Sequence, residues 1–376
     1  MRKVFAFISL SFFLSACVSL NATRYLIPDS RDSARFKNER IGKSTVPFRF
    51  ITNYPNQQYT LLKERIDSSL IETKTNVFLV IKNDSIIYQH LSEGTDLSDR
   101  QPSFSMVKSF VGALVGMAID RGEIASADDL VIKYLPELSK NDSRFQQLTI
   151  QHVLDMKSGF DFNERVFNPF SKIVRMYYGA DLAKMVMKLK MKNEPNAVFE
   201  YQSINTQVLA MILEKATGKK LNVLLQERLW KELGTESDAL WSLDGSGNIK
   251  SFCCLYATAL DFAKFGRLYL KAGSWEGKQI LSKKWINLTT DPVTLTKNRY
   301  KNQFWSARNY RYFDDPIGAA TPEGKQLVYD YKAQGMFNQS IYINPQNNVI
   351  IVRLGGRQKK VNFHNFVREV GRSIKP

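Results

Sequence analysis

Histidine is scarce in this chain. Of 376 residues only His90, His152 and His364 are histidines, scattered singly, so a serine–histidine–acid triad would have to be assembled from poor partners. His152 falls at a predicted helix start and reads as structural. Cysteine is as sparse, with only Cys17, Cys253 and Cys254. Adjacent cysteines cannot staple two distant segments, and no metal-ligand spacing is present, so neither a disulfide framework nor a metal centre is expected. No cofactor is expected either. Internal repeats and low-complexity tracts are absent. Negative charge is the minority: 53 basic residues face 36 acidic ones, a net charge of +17.

What is present begins with an export signal. Met1-Arg2-Lys3, the apolar run Val4 to Leu14 and then Ser15-Ala16-Cys17 supply its three parts, and the run is too short to span a bilayer. Leu14-Ser15-Ala16-Cys17 resembles the bacterial lipobox, which implies removal of residues 1–16 and lipid attachment to the Cys17 thiol. Residues 17–60, polar and irregular, then read as a lipid-anchored tether and lead-in. The expected location is the bacterial cell envelope, on the exported side of a membrane, at its periplasmic face or the cell surface. Cleavage removes Arg2 and Lys3 and leaves a net charge of +15. Export argues against nucleic acid as the counterpart of that charge, and no nucleic-acid module is recognisable. Anionic lipid or cell-wall polymer fits better.

The length predicts about two domains, and a hydrophobic fraction of 44% is ample for a large core. Val77 to Ile81 and Ile86 to Tyr88, separated by Lys82-Asn83-Asp84-Ser85, read as a β-hairpin. Gln339 to Ile343 and Val349 to Arg353 read as another, and Phe363 to Ile374 as a closing amphipathic helix. Between these ends the signals are helical: 105–121, Thr149 to Met156, Asp181 to Lys190, Thr206 to Ala216, Leu221 to Leu233 and Thr258 to Leu270. The predicted fold is α/β plus all-α: an antiparallel sheet built from both chain ends and flanked by helices, with an inserted helical domain. Residues 61–104 and 250–376 are assigned to the sheet domain and 105–249 to the helical one. A monomer is expected.

One residue in the helical signal is out of place. From Ser105 to Ile119 the segment is apolar on every face, which marks an enclosed helix, yet Lys108 stands inside it. With Ser103 as N-cap, Ser105 lies in the first turn, where backbone N–H groups lack intrahelical partners and can bind an oxyanion. Lys108 follows three residues later on the same face, and helical side chains lean toward the N-terminus, so its amine can reach the serine oxygen. To act as a base near pH 7 that amine must lose roughly 3 units from its ordinary value, on the order of 4 kcal/mol. The helix dipole contributes only about 0.3–1 kcal/mol, so desolvation or a neighbouring cation has to supply the rest.

Further segments match one family in order, over about residues 75 to 355. They are Phe104 to Ser109, Leu148 to Gly159, Phe199 to Asn205, Leu255 to Gly266, Gly273 to Ser282 and Gln339 to Pro345. The chain resembles the serine β-lactamase and penicillin-binding superfamily, in its class C-like branch of esterases, D-amino peptidases and 6-aminohexanoate-oligomer hydrolases. The resemblance implies that Ser105 is the acyl-accepting nucleophile, Lys108 its base and Tyr201 the tyrosine of a Tyr-x-Asn motif that carries the proton to the leaving group. Ser203 stands at the asparagine position, and Asn205, two residues on, is placed to cap the next helix.

The family's Lys-Thr/Ser-Gly motif should precede the Gln339 strand, and only Gly335 survives there. Gly335 and the following N–H of Met336 are the expected oxyanion partners of Ser105, with Gln334 and Ser203 beside the substrate. Lys332 and Gln334 are the available stand-ins for the missing cation, although neither falls cleanly on its place. Lys157-Ser158-Gly159 imitates the motif in letters only and reads as a helix ending. The segment from Arg299 through Trp305 to Tyr331 is a candidate roof. The implied activity is that of a membrane-tethered serine hydrolase cleaving an ester or amide in a small-molecule or peptide-like acyl substrate, with β-lactamase activity disfavoured. The alternative is a non-hydrolysing acyl-binding or sensor protein on the same scaffold.

Overall fold

The computed structural model describes residues 28, 30–52, 60–71, 73–166, 168, 170–179, 181–290, 299–306 and 330–374. The export signal and Cys17 lie outside the described residues, as does residue 307–329 of the expected roof. In chain order the first elements are β1 (Asn38–Ile41), β2 (Ile51–Thr52), α1 (Thr60–Leu70), β3 (Thr75–Lys82), β4 (Ser85–Leu91), β5 (Gln101–Pro102) and α2 (Val107–Asp120). The middle of the chain forms α3 (Ile150–Leu154), α4 (Lys172–Tyr178), α5 (Leu182–Met187), α6 (Ile204–Thr217) and α7 (Leu221–Leu225), then β6 (Ala239–Ser242) and β7 (Leu255–Ala257). There follow α8 (Ala259–Leu270), β8 (Ser274–Trp275), β9 (Lys278–Gln279), α9 (Lys283–Thr290), β10 (Tyr300–Lys301) and β11 (Phe304–Ser306). The chain closes with β12 (Tyr331–Gly335), β13 (Gln339–Asn344), β14 (Val349–Gly355) and α10 (Phe363–Ser373).

Both predicted hairpins form, and β14 pairs antiparallel with β3 to join them, so one sheet is made from both ends of the chain. Its order is β10-β11-β12-β13-β14-β3-β4-β2, antiparallel except for the short β2–β4 contact at the edge. The first hairpin turns at Asn83 and Asp84, whose φ angles of 50° and 60° are the left-handed pair that a two-residue turn demands. Strand alternation then sorts the side chains. Val77, Leu79, Ile81, Ile341, Ile343, Ile350 and Val352 join the large core shared with α8 and the helices. Phe78, Val80, Tyr342 and Ile351 face the other way, onto Ile66 of α1 and Phe366 and Val367 of α10.

Helix α2 is the axis of the large core. Every residue from Val107 to Ala118 is buried, and the helix packs on α6 on one side and on β11 and β12 on the other. Two glycines make this approach possible. A Cβ on Gly112 would lie 2.5 Å from the Asn302 carbonyl oxygen, and one on Gly116 would lie 2.5 Å from the Trp285 ring.

The structure departs from the sequence reading in several places. Helices α1, α4 and α9 were not anticipated; α4 and α9 are short, and an apolar stripe is hard to read from so few turns. Within the expected tether, β1 pairs with β6, so that part of the chain is built into a second sheet of order β1-β6-β7-β5. The helix expected over Leu221–Leu233 ends at Leu225 and continues as a π-helical turn over Gln226–Trp230. Asn205 does not cap α6: it sits inside the first turn and donates from Nδ2 to the Gln202 carbonyl.

Replacing Gly116 with valine should lower stability by roughly 1–3 kcal/mol through the clash with Trp285. A thermal or urea melt coinciding with that of the parent protein would show that α2 does not pack as described.

Candidate active site

The approach to Ser105 is a sharp corner. Strand β5 is pinned by β7, and Ser103 N donates to the Leu255 carbonyl at 2.8 Å. Phe104 then takes a left-handed φ of 43°, and a short 3-10 turn over Phe104–Met106 leads into α2. A bulky residue in that region costs on the order of 1–3 kcal/mol and persists only where its surroundings hold it. Here the Phe104 ring meets Phe337 edge-on, at 5.3 Å between centroids. Ser103 is not the side-chain cap that the sequence suggested, because it has helical dihedrals and its hydroxyl donates to the Phe104 carbonyl. Ser105 itself remains partly exposed while its neighbours are buried.

Lys108 points back at it. Its Nζ lies 2.9 Å from Ser105 Oγ and donates at 2.8 Å to the carbonyl of Phe252, and the side chain is only 1% exposed. Burial lowers the amine to about 8, with the charge of Glu164 pulling the other way. That falls short of the 3-unit loss anticipated for a base at pH 7, so about a tenth of the amine is neutral there. The Phe252 carbonyl is held by a tight corner in which Cys253 and Cys254 are bonded to each other. Trp241 Nε1 donates to the Lys250 and Cys253 carbonyls there, at 3.0 Å each.

Tyr201, just before α6, brings its phenol beside the Ser105 hydroxyl, and its ring centroid is 5.3 Å from Lys108 Nζ. Burial raises its phenol well above the ordinary value, so near neutral pH it is a proton donor. Ser203 is tied to a residue that sequence reasoning missed. Its N–H donates to Glu164 Oε2 at 2.9 Å and its hydroxyl to Oε1 at 2.5 Å. Burial raises the Glu164 carboxyl while the Lys108 charge and the Ser203 bonds lower it. Between them, Gln202 Nε2 donates to the Phe160 and Phe162 carbonyls and fastens the Glu164 loop to the tyrosine turn. Nothing in Asn163-Glu164-Arg165 has the form of a motif, so only a long-range contact could reveal it.

On the opposite side Gly335 runs against the serine corner. A Cβ there would stand 2.3 Å from the Ser103 carbonyl oxygen and 3.2 Å from Phe104 Cβ, which accounts for the glycine. Met336 and Gln334 flank it, both part-exposed, with Gln334 opposite Ser340 in the strand ladder. His152 is far from this chemistry in role: it completes a capping box with Thr149 at the start of α3.

A profile of the family described as Beta-lactamase matches residues 76–369. The chain belongs to that family. A 6-aminohexanoate-dimer hydrolase of Paenarthrobacter ureafaciens is 27% identical over 312 residues, covering 77% of this chain and 74% of the relative. Among solved structures, a putative 6-aminohexanoate-dimer hydrolase from Bacillus anthracis superposes with a TM-score of 0.74 at 22% identity, over 92% of this chain and 91% of the other. A penicillin-binding protein from Bacillus halodurans superposes at 0.61 and 15% identity, over 81% and 99%. This β-lactamase-family chain is thus a hydrolase on the serine β-lactamase fold.

Against the family's Lys-Thr/Ser-Gly motif, the place two residues before Gly335 is held by Ala333, buried on the core face of β12. Lys332 cannot substitute for the missing cation. It takes the opposite face of the strand, where its buried amine contacts His364 of α10. Lys157-Ser158-Gly159 is structural as expected: Gly159 has a φ of 78° and lies against the Asn193 carbonyl. Of the expected roof, Trp305 stacks on Tyr201 with centroids 5.6 Å apart.

Burial lowers three amines: Lys108 to about 8, and Lys250 and Lys332 to about 7. NMR titration of isotopically labelled lysine should show three resonances moving well below the bulk, one of them lost in Lys108→Met. A spectrum in which every lysine titrates with the bulk would contradict the buried amine.

Proposed function

We propose that this chain is a serine acyl hydrolase that cleaves ester or amide bonds through an acyl-enzyme on Ser105. The observation that carries the reading is the lysine amine enclosed at 2.9 Å from a serine hydroxyl that stays open to the cleft. In its neutral form Lys108 takes the Ser105 proton as Oγ attacks the carbonyl carbon, while its N–H bond to Phe252 keeps the nitrogen in place. The tetrahedral oxygen is received by the N–H groups of Ser105 and Met336; losing one such donor typically costs about 100–1000-fold in turnover. Tyr201, protonated beside the serine, delivers a proton to the departing alcohol or amine and recovers one from the Lys108 ammonium, which leaves the amine neutral for the second step. Water then attacks the ester carbon of the acyl-enzyme by the same route, which frees the acid and restores Ser105.

The absent motif cation favours esters and open-chain amides over β-lactams. The name of the Paenarthrobacter relative, a 6-aminohexanoate-dimer hydrolase, points the same way. We also propose that the mature protein is lipid-anchored at Cys17 in the bacterial envelope, on the strength of the Leu14-Ser15-Ala16-Cys17 sequence. Several acyl chains, at about 0.8 kcal/mol per buried CH2, would hold it at the membrane surface.

A fluorophosphonate probe or an activated nitrophenyl ester should label Ser105, and the rate should rise with pH through a midpoint at about 8, because the amine works only once it has lost its proton. Lys108→Ala should fold and lose labelling by on the order of 100-fold or more. Tyr201→Phe should slow poor leaving groups more than good ones. An inert Ser105 in folded protein would leave acyl binding or sensing as the surviving reading. For the anchor, Cys17→Ala should move the protein from the detergent-extracted membrane fraction to the soluble one; unchanged fractionation would remove the lipid.

A further inference from the structure

We propose that Glu164, set in a cleft whose motif cation is replaced by Ala333, makes this site reject acyl substrates that carry a negative charge beyond the scissile carbonyl. The inference rests on the hydrolase reading above and adds its charge specificity. Three observations support it. First, the carboxylate has a built position: both oxygens accept from Ser203, at 2.9 and 2.5 Å, and Gln202 anchors the loop that carries it. Its charge raises both the Lys108 amine and the Tyr201 phenol, and Lys108 stands 2.9 Å from the Ser105 oxygen that would carry the acyl group. Second, among the described residues the motif position two before Gly335 supplies no cation. Ala333 has no charge, and Lys332 is committed beneath α10 to His364. Third, the wall beside Tyr201 is aromatic: Tyr300 lies 5.8 Å and Trp305 5.6 Å from its ring, and Phe199 packs on both. An anionic group would exchange water for rings and a like charge, whereas a neutral flat or alkyl group would bury apolar surface.

The test compares two p-nitrophenyl esters of equal shape, the para-methylphenylacetate and the para-carboxyphenylacetate, on the full mature chain at about pH 8, where part of the Lys108 amine is neutral. Each kcat/KM is divided by the ester's rate with hydroxide. The methyl ester should be favoured by about 10-fold or more, as expected for a like charge placed beside the acyl group. In Glu164→Gln the methyl-to-carboxylate ratio should fall toward unity, whatever happens to the absolute rates. A parent ratio near or below one overturns the inference, and so does a raised ratio that Glu164→Gln leaves intact. Should that variant fail to fold, Glu164→Ala provides the same reading of the ratio, and the parent ratio alone still decides against the proposal if it is not raised. Failure of the hydrolase reading looks different: neither ester is turned over and Ser105 takes no label.

Discussion

The whole arrangement depends on one buried amine. Lys108 occupies a helix that is closed on every side, and it is tolerated because two oxygens, the Ser105 hydroxyl and the Phe252 carbonyl, receive its N–H groups. An unpaired ammonium in that place would cost several kcal/mol, whereas an amine with a pKa of about 8 can give up its charge. Burial therefore does two things at once: it weakens the cation and aims the resulting lone pair at the serine. The charge of Glu164 opposes the first effect and pulls the amine back toward its ordinary value.

The surroundings are arranged so that this pair cannot relax. Gly112 and Gly116 let the Asn302 backbone and Trp285 close on α2. Phe104 holds a left-handed turn against Phe337, whose own φ is 60°, so the two sides of the cleft brace each other through a pair of rings. Arg353, buried on β14, donates to the Phe337 carbonyl and fixes the β12–β13 corner from behind. Strain at the serine corner is thus met by contacts drawn from segments more than two hundred residues away in the chain.

The departures from the family pattern fall on both sides of the cleft, Ser203 beside Tyr201 and Ala333 on the strand of Gly335. Serine in place of asparagine after Tyr201 becomes the anchor of a carboxylate, and alanine replaces the motif lysine on β12. The first change shortens a hydrogen-bonding side chain and the second removes a positive charge. Together they remove one positive charge and add a carboxylate near the acyl position, a route by which a shared scaffold can take a different set of substrates without altering the serine and its amine.

Much of this was legible in the chain alone. Period-two alternation and turn residues marked both hairpins, and a lone lysine in an apolar helical run marked the site, because helical geometry carries a residue three positions on back toward its serine. Local spacing was enough for Ser105 and Lys108, which lie on one helix turn. It was not enough for Glu164, which reaches Ser203 across 39 residues, or for the Phe252 carbonyl, which reaches Lys108 across 144. Nor could letters decide that Lys332 faces α10 while Ala333 takes the core side of β12. Those outcomes are set by packing between distant segments, and by which face of a strand a one-residue shift selects.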